Sequence, residues 1–128
     1  MSRSRSRAWL IFVLAVGVTL VFSAPSLGET FRIRMAGSFP NFHYQPDKRE
    51  IHKNDRIRFK NPDAQPSHTV TAYGGNWSFN KTLSSGEATA KRFRRAGLFK
   101  FRCRFHSEME NGVCEGMCGK VRVRRGGG

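Results

Sequence analysis

Apolar and polar residues alternate along four segments of the chain. In segments 31–35, 56–60, 98–105 and 120–124, apolar residues are separated mostly by Lys or Arg. Because successive side chains of a β-strand point to opposite faces, this alternation predicts strands with one buried face and one cationic, solvated face. In segment 98–105 the inward set is Phe99, Phe101, Cys103 and Phe105. All three phenylalanines are therefore predicted to lie in the core.

Clusters of turn-forming residues separate these segments. They include Asn61-Pro62-Asp63, Gly74-Gly75-Asn76, Ser84-Ser85-Gly86, Ala96-Gly97 and Asn111-Gly112. Helical periodicity of useful length is not found after residue 28, and short strands at this spacing predict an all-β sandwich or barrel. The 128 residues are enough for one ordinary domain and too few for a large catalytic barrel.

The first 28 residues have the layout of a secretory signal peptide. Residues 2–7 read SRSRSR, residues 8–22 form an uncharged apolar run, and the small and turn-forming residues SAPSLG follow. A cut after Gly28 would leave small side chains at the positions that such cleavage prefers. An uncleaved anchor is the alternative, although the run is shorter than the roughly 20 residues of a membrane span.

This layout predicts an exported protein: periplasmic, extracellular or anchored at the outer face of a membrane. The segment 1–28 would be the signal, residues 29–124 a single domain, and residues 125–128 a flexible tail. Eleven Phe and a hydrophobic content of 38% indicate a packed core rather than a disordered chain. We expect the domain to be a monomer.

The chain is strongly basic, with 23 Lys and Arg against 9 Asp and Glu and a net charge of +14. Loss of residues 1–28 removes three arginines and leaves +11. This excess predicts an anionic partner, either an acidic redox protein or an anionic membrane or envelope surface. Nucleic acid is disfavoured, because the protein is exported and its cations alternate with core residues as on a solvated sheet.

The three cysteines form an odd set, which needs an explanation in an exported chain. Cys114 and Cys118 are close enough in sequence for a local disulfide if a turn brings their Cα atoms within about 7 Å. Cys103 would then be a free thiol with a separate role.

The surroundings of Cys103 suggest that role. His106 follows it by three residues, Met109 and Met117 come later, and His68 lies upstream in a Ser-His-Thr-Val-Thr segment. One thiolate, two imidazoles and a distant thioether are the ligand set of a mononuclear blue copper site. Sulfur ligands favour copper(I) and imidazoles suit both oxidation states, so such a site suits one-electron transfer.

The segment from Phe31 to Val123 resembles a cupredoxin of the plastocyanin/amicyanin type. The matching elements, in the family's order, are His68-Thr69-Val70-Thr71, Ser84-Ser85-Gly86-Glu87, Ala96-Gly97-Leu98-Phe99-Lys100-Phe101, Cys103-x-x-His106 and Met117-x-Gly119-Lys120-Val121-x-Val123. The resemblance implies a Greek-key β-sandwich that holds one type 1 copper ion through His68, Cys103, His106 and a Met. It also implies a one-electron carrier that serves redox partner proteins, with His106 on a loop at the exposed edge.

The chain departs from the family pattern at the axial Met. Met109 stands at the family's usual distance after His106, whereas Met117 directly precedes the Gly-Lys-Val context of the last strand. Because strand register is hard to shift by one residue, we predict Met117 as the axial ligand. The residues before it would form an outward loop that the Cys114–Cys118 bridge ties down. Met109, or no Met at all, is the alternative.

Other functions use similar residues. Zinc also binds Cys and His, but a Met ligand favours copper. A dinuclear copper centre could use Cys114 and Cys118, yet it needs a His after the second Cys and none follows His106. A multicopper oxidase needs further His clusters, but this chain has only four His, and His43 and His52 are expected at the surface. We therefore predict that the protein is not an enzyme. A copper-handling or resistance protein remains the alternative to an electron carrier, because both would use the same ligands.

Overall fold

The computed structural model of the protein describes residues 11–20 and 28–126. Residues 11–20 are exposed and have no regular secondary structure. The rest of the predicted signal segment up to residue 27, and the last two residues, lie outside the described part, so cleavage after Gly28 stays a prediction. Within the described ranges, no helix has the length and apolar character needed to cross a membrane.

The described domain is all-β, as predicted, with nine strands. They are β1 (Thr30–Ala36), β2 (His43–Gln45), β3 (Lys48–His52), β4 (Arg56–Lys60), β5 (His68–Tyr73), β6 (Asn80–Leu83), β7 (Ala88–Arg92), β8 (Gly97–Glu110) and β9 (Val113–Arg124). One sheet has the order β2-β1-β4-β7 and the other the order β3-β9-β8-β5-β6. The chain passes repeatedly from one sheet to the other, which makes a Greek-key β-sandwich.

The alternation in the sequence accounts for the core between the sheets. The buried residues include Ile33, Met35, Ile57, Phe59, Phe99, Phe101, Cys103, Val121 and Val123, whereas the cations between them are largely exposed. Phe105 is an exception, because 53% of its surface is exposed. The prediction that Phe105 is a core residue is wrong. The pairing of β8 with β9 shifts register between Arg102 and Ser107, so the alternation does not continue to residue 105.

The residues between His106 and Met117 form a hairpin rather than the predicted outward loop. β8 continues to Glu110, β9 begins at Val113, and the strands pair through Ser107–Gly116 and Glu110–Val113. The turn is Asn111-Gly112, with φ angles of 50° and 77°. A two-residue turn with both φ angles positive matches the twist of antiparallel strands, and Asn-Gly favours it. We call residues 107–116 the hairpin extension. His106 therefore lies within β8, not on a loop after it.

The strands run between two distinct ends of the sandwich. At one end Thr30 of β1 lies beside Arg56 of β4, and Arg56 lies beside Arg92 of β7. The Lys53 amide donates to the carbonyl of Arg124 there. We call this end, made of residues 28–30, 52–56, 92–97 and 123–126, the basic pole. The opposite end, made of residues 37–42, 61–68 and 103–117, is the histidine pole.

Candidate metal centre

A bulge in the β8–β9 ladder creates the centre. Arg102 pairs with Cys118 and Ser107 with Gly116, so the four residues 103–106 of β8 face Met117 alone. Gly116 has a φ of +95°, and a Cβ there would come within 2.5 Å of the His106 carbonyl oxygen. The bulge lifts Cys103 and His106 out of the regular ladder, and the glycine lets the hairpin extension close against them.

Three donor atoms converge at this bulge. The Nδ1 atoms of His68 and His106 are 3.0 Å apart, and the Cys103 Sγ lies 3.8 Å from the first and 3.5 Å from the second. Metal bonds of about 2.0–2.3 Å in a trigonal plane separate their donors by about 3.5–4 Å. The two Sγ–Nδ1 distances lie within this range and the Nδ1–Nδ1 distance is shorter, so the three predicted side chains are grouped closely enough to share one metal ion.

Burial lowers the pKa of both imidazoles, which favours the neutral form that binds a metal. Burial, reinforced by the nearby His106, lowers the pKa of His68 to about 4. Burial also lowers the pKa of His106. Both rings are therefore neutral at pH 7, and the neutral ring is the form that ligates a metal.

Gln65 orients His68 and was not predicted from the sequence as a site residue. The Nε2 of His68 lies 3.1 Å from the Gln65 Oε1, while the Gln65 Nε2 donates to the Gly37 carbonyl over 3.0 Å. The amide can accept only through its oxygen, so a neutral His68 donates from Nε2 and leaves Nδ1 free for a metal. A polar residue three positions before a ligand histidine was the available signal.

Thr69 connects the thiol to the opposite strand. Its amide donates to the Cys103 Sγ over 3.3 Å, and its Oγ1 accepts from the Arg104 amide over 2.8 Å. The Ser107 hydroxyl donates to the Cys103 carbonyl. These bonds fix the bulge on both sides of Cys103, which is fully buried.

Asn61 supports the segment that leads to His68. The side chain is buried, and its Nδ2 donates to the carbonyls of Pro66 and Leu83, each over 2.9 Å. In the sequence, Asn61 was only part of a turn cluster. The structure shows that it anchors the segment between β4 and β5.

Aromatic side chains cover the centre. The Phe42 ring centroid lies 5.0 Å from that of His68 and 4.5 Å from that of His106. Beneath it, the Tyr44 hydroxyl donates to the Thr69 carbonyl over 2.6 Å, and burial raises the pKa of Tyr44. Phe42 was not predicted at the site, because the chain brings it there through a loop that has no regular pattern.

His106 reaches the surface in a shallow depression. The depression has a volume of about 370 Å³ and is lined by Phe39, Pro40, Phe105, His106, Ser107, Glu108, Glu115 and Gly116. Phe39 is 83% exposed and forms an apolar rim with Pro40 and Phe105 on one part of the depression, while Glu108 and Glu115 line another part. The segment 105–119 contains three Glu and no Lys or Arg, which sets it apart from the rest of this basic chain.

The two candidate axial methionines occupy different positions. Met117 is fully buried and faces the bulge that carries Cys103 and His106. Met109 is 38% exposed and pairs with Cys114 in the hairpin extension. The geometry favours Met117, and its role as a ligand stays a prediction.

The predicted disulfide is present. Cys114 and Cys118 are joined within β9, with their Cα atoms 6.2 Å apart, and Cys103 is a free, buried thiol. Four residues of extended strand would span about 13 Å. The bridge therefore holds β9 in a sharp bend around Gly116, next to Met117.

Comparison with solved structures supports the architecture. No protein-family model matches the sequence, and a search of curated proteins found no match. Among solved structures, the chain is similar to a purple cupredoxin from Nitrosopumilus maritimus, with 22% identity, 73% of this chain and 98% of that chain covered, and a TM-score of 0.57.

Two further structures are similar to the same degree. One is a variant of amicyanin in its Cu(I) form, with 18% identity, 80% and 90% of the two chains covered, and a TM-score of 0.56. The other is pseudoazurin from Methylobacterium extorquens AM1, with 20% identity, 74% and 75% covered, and a TM-score of 0.56. With its nine strands in two sheets and this set of structural neighbours, the chain has the cupredoxin fold.

Proposed function

We propose that the protein is an exported one-electron carrier that binds a single type 1 copper ion. His68, Cys103 and His106 would be the equatorial ligands and Met117 the weak axial ligand. The observation that carries this proposal is the convergence of two neutral imidazoles and one thiol at separations of 3.0–3.8 Å. The Cu(I) state of the amicyanin variant supports copper as the metal.

Copper would supply a redox couple whose two states accept nearly the same ligand geometry. The protein holds that geometry from several directions. Gln65 orients His68, Thr69 contacts the thiol, and the disulfide fixes β9 beside Met117. A site that cannot relax between oxidation states transfers electrons with little reorganisation.

His106 is the proposed point of electron entry and exit. Its imidazole is half-buried, with one edge in the depression bounded by Phe39 and Phe105. A redox partner that packs its own apolar surface on this rim would approach the ring without a layer of water between them. The basic charge of the chain favours an acidic partner, although Glu108 and Glu115 line the depression at His106.

The same geometry favours a carrier over an enzyme. Catalytic metal sites keep a coordination position open for water or substrate. Here the buried Met117 faces the bulge that carries Cys103 and His106, and Phe42 lies against the two imidazoles. Substrate would have no direct route to a metal held between them.

The visible spectrum of the protein loaded with copper(II) tests the proposal. We expect one copper ion per chain and an intense blue or green colour from charge transfer between the Cys103 thiolate and copper. A colourless protein with full copper occupancy would overturn the type 1 assignment. Rapid electron exchange with small redox reagents is then expected, and a coloured protein that exchanges electrons slowly would instead be assigned to copper handling.

A further inference from the structure

The basic pole concentrates cations at the end of the sandwich farthest from the candidate metal centre. The side chains located there are Lys53, Arg56, Arg92, Arg94, Arg95, Arg124 and Arg125. They come from three separate segments of the chain, residues 53–56, 92–95 and 124–125. Strand direction, not sequence proximity, therefore brings them together.

Three carboxylates, those of Glu29, Glu50 and Asp55, oppose these seven cations. Arg124 pairs with Glu50, which is the one ion pair within the described ranges. The buried Asp55 accepts from the amides of Glu29 and His52. Two guanidinium groups of the pole, by contrast, are held by backbone carbonyls: Arg92 donates to Asn54 and Arg95 to Asn76. Their charge is fixed in place and not neutralised.

The N-terminal segment joins the domain at the same pole. Gly28 lies against the backbone of Asn54, and β1 begins at Thr30. The apolar run 8–22 ends only six residues before Gly28, and its described part, residues 11–20, makes no buried contact. The chain that follows the apolar run therefore enters the described domain at the basic pole.

We propose that the basic pole docks on an anionic phospholipid surface and that the histidine pole then faces away from it. Each Lys or Arg close to such a surface contributes about 1 kcal/mol, and in the uncleaved chain the apolar run that precedes the pole adds a second signal for binding. The docking does not depend on copper. In this orientation His106 would be accessible to soluble redox partners, and this consequence rests on the proposed function.

The opposite charge of the hairpin extension is compatible with this orientation. Strand β8 needs about 20 Å to run from Gly97 to Cys103, at about 3.3 Å per residue. The Debye length at physiological ionic strength is about 8 Å. Glu108 and Glu115 line the depression at His106, so they lie about 20 Å from the surface and are not repelled by it, whereas the turn of the extension bends back beside Lys100 and Lys120.

Hydrogen–deuterium exchange on the full, copper-free chain tests the orientation. The chain would be mixed with vesicles of phosphatidylcholine alone or with one quarter phosphatidylglycerol. We expect slower exchange in residues 52–56 and 91–96 on the anionic vesicles only, with residues 105–116 unchanged. Protection of 105–116, or equal protection on both vesicles, would overturn the proposal. So would protection of 91–96 by soluble heparin with none by vesicles, which would assign the pole to soluble polyanions.

Matched charge variants test whether the pole, and not total charge, is responsible. The triple variant Lys53→Gln, Arg56→Gln, Arg94→Gln should lower the ratio of anionic to neutral vesicle binding by about 100-fold. The control Arg34→Gln, Lys48→Gln, Lys81→Gln removes the same charge from exposed sites elsewhere and should change the ratio by less than about fivefold. The apolar run should bind anionic and neutral vesicles equally, so its contribution cancels in the ratio of the two affinities. Equal losses in the two triples would refute the docking surface.

Discussion

The two poles are built from the same strands and yet have opposite character. From the basic pole, β8 and β9 keep regular pairing from Gly97–Val123 to Arg102–Cys118, and alternation directs their cations away from the core. At the histidine pole the same two strands lose register. The bulge at residues 103–106 brings the donor atoms of Cys103 and His106 together with that of His68. The regular part of the ladder supplies stability and charge, while the irregular part supplies chemistry.

The difference extends to charge and exposed surface. The hairpin extension carries Glu108, Glu110 and Glu115 beside the exposed Phe105, whereas the basic pole carries Lys and Arg. Net charge alone hides this division. A partner that approaches His106 meets an acidic and apolar surface on a molecule that is basic overall. The following variants test how far the poles act separately.

The largest effect should come from Cys103→Ser, which removes the thiolate from the histidine pole. We expect complete loss of the visible charge-transfer band of the copper(II) protein, because a hydroxyl does not provide that transition. The fold should persist, since the substitution is small. Absorption and circular dichroism spectra measure the two properties.

The double variant Cys114→Ser, Cys118→Ser is the control, because it removes sulfur from the disulfide but not from the cluster. It should keep the colour. A colour that survives in Cys103→Ser and disappears in the double variant would move the ligand role into β9.

Met117→Leu should have the next largest effect. Leu has nearly the same volume as Met but no sulfur donor, so packing is kept while the axial interaction is lost. We expect the reduction potential to rise by about 60 mV or more, equivalent to a tenfold change in relative affinity for the two copper states. Direct electrochemistry on the copper protein measures the shift.

Met109→Leu provides the comparison, because this residue lies on the same hairpin but is exposed. The reduction potential and the visible spectrum of Met109→Leu should match those of the unmodified protein. If the two variants behave in the opposite way, Met109 is the ligand, and the bulge that faces Met117 has no role in copper binding.

Acid should destabilise the metal-free protein through the histidine pole. The folded state holds the pKa of His68 at about 4, below its ordinary value of 6.5. As the pH falls from about 6.5 toward 4, the unfolded chain takes up a proton that the folded protein resists. Stability present above pH 6.5 is therefore lost over this interval, by at most about 3 kcal/mol.

Thermal unfolding of the metal-free protein at pH 7, 5.5 and 4.5 measures this loss. In His68→Gln, the decrease in stability as the pH falls from 6.5 to 4 should be clearly smaller than in the unmodified protein. The exposed His52 at the basic pole provides the control, and His52→Gln should leave the slope unchanged. Identical slopes in all three proteins would show that burial of His68 does not govern the acid response.

The smallest effect should come from the acidic residues beside the electron port. The net charge, +14 for the full chain and +11 without residues 1–28, predicts that exchange with an anionic redox reagent slows as salt rises and that exchange with a cationic reagent speeds up. Glu108 and Glu115 oppose this locally. Glu108→Gln, Glu115→Gln should therefore raise the rate for the anionic reagent at low salt by about two- to threefold.

Glu29→Gln, Glu50→Gln changes the net charge equally at the basic pole and should change the rate less. The measurement is stopped-flow electron exchange across a salt series. Equal rates in the two double variants would mean that the reagents sense only net charge, and the separation of the poles would have no effect on electron transfer.

The sequence by itself determined the class of the fold and the identity of most of the chemistry. Alternation is a local property, so it correctly predicted the strands around Ile33, Ile57, Phe99 and Val121 and the core between them. Residue type and spacing also selected His68, Cys103 and His106, which the structure brings together, and the Cys114–Cys118 disulfide, which is present.

Tertiary structure decided what depends on pairing between distant segments. The bulge that turns Phe105 outward and sets residues 103–106 against Met117 arises from the register of β8 on β9, which alternation within one strand does not specify. Gln65 and Phe42 reach the site through loops. The two poles exist because strand directions gather cations from separate segments at one end and leave the acidic hairpin at the other. Charge counted along the chain carries no information about such placement.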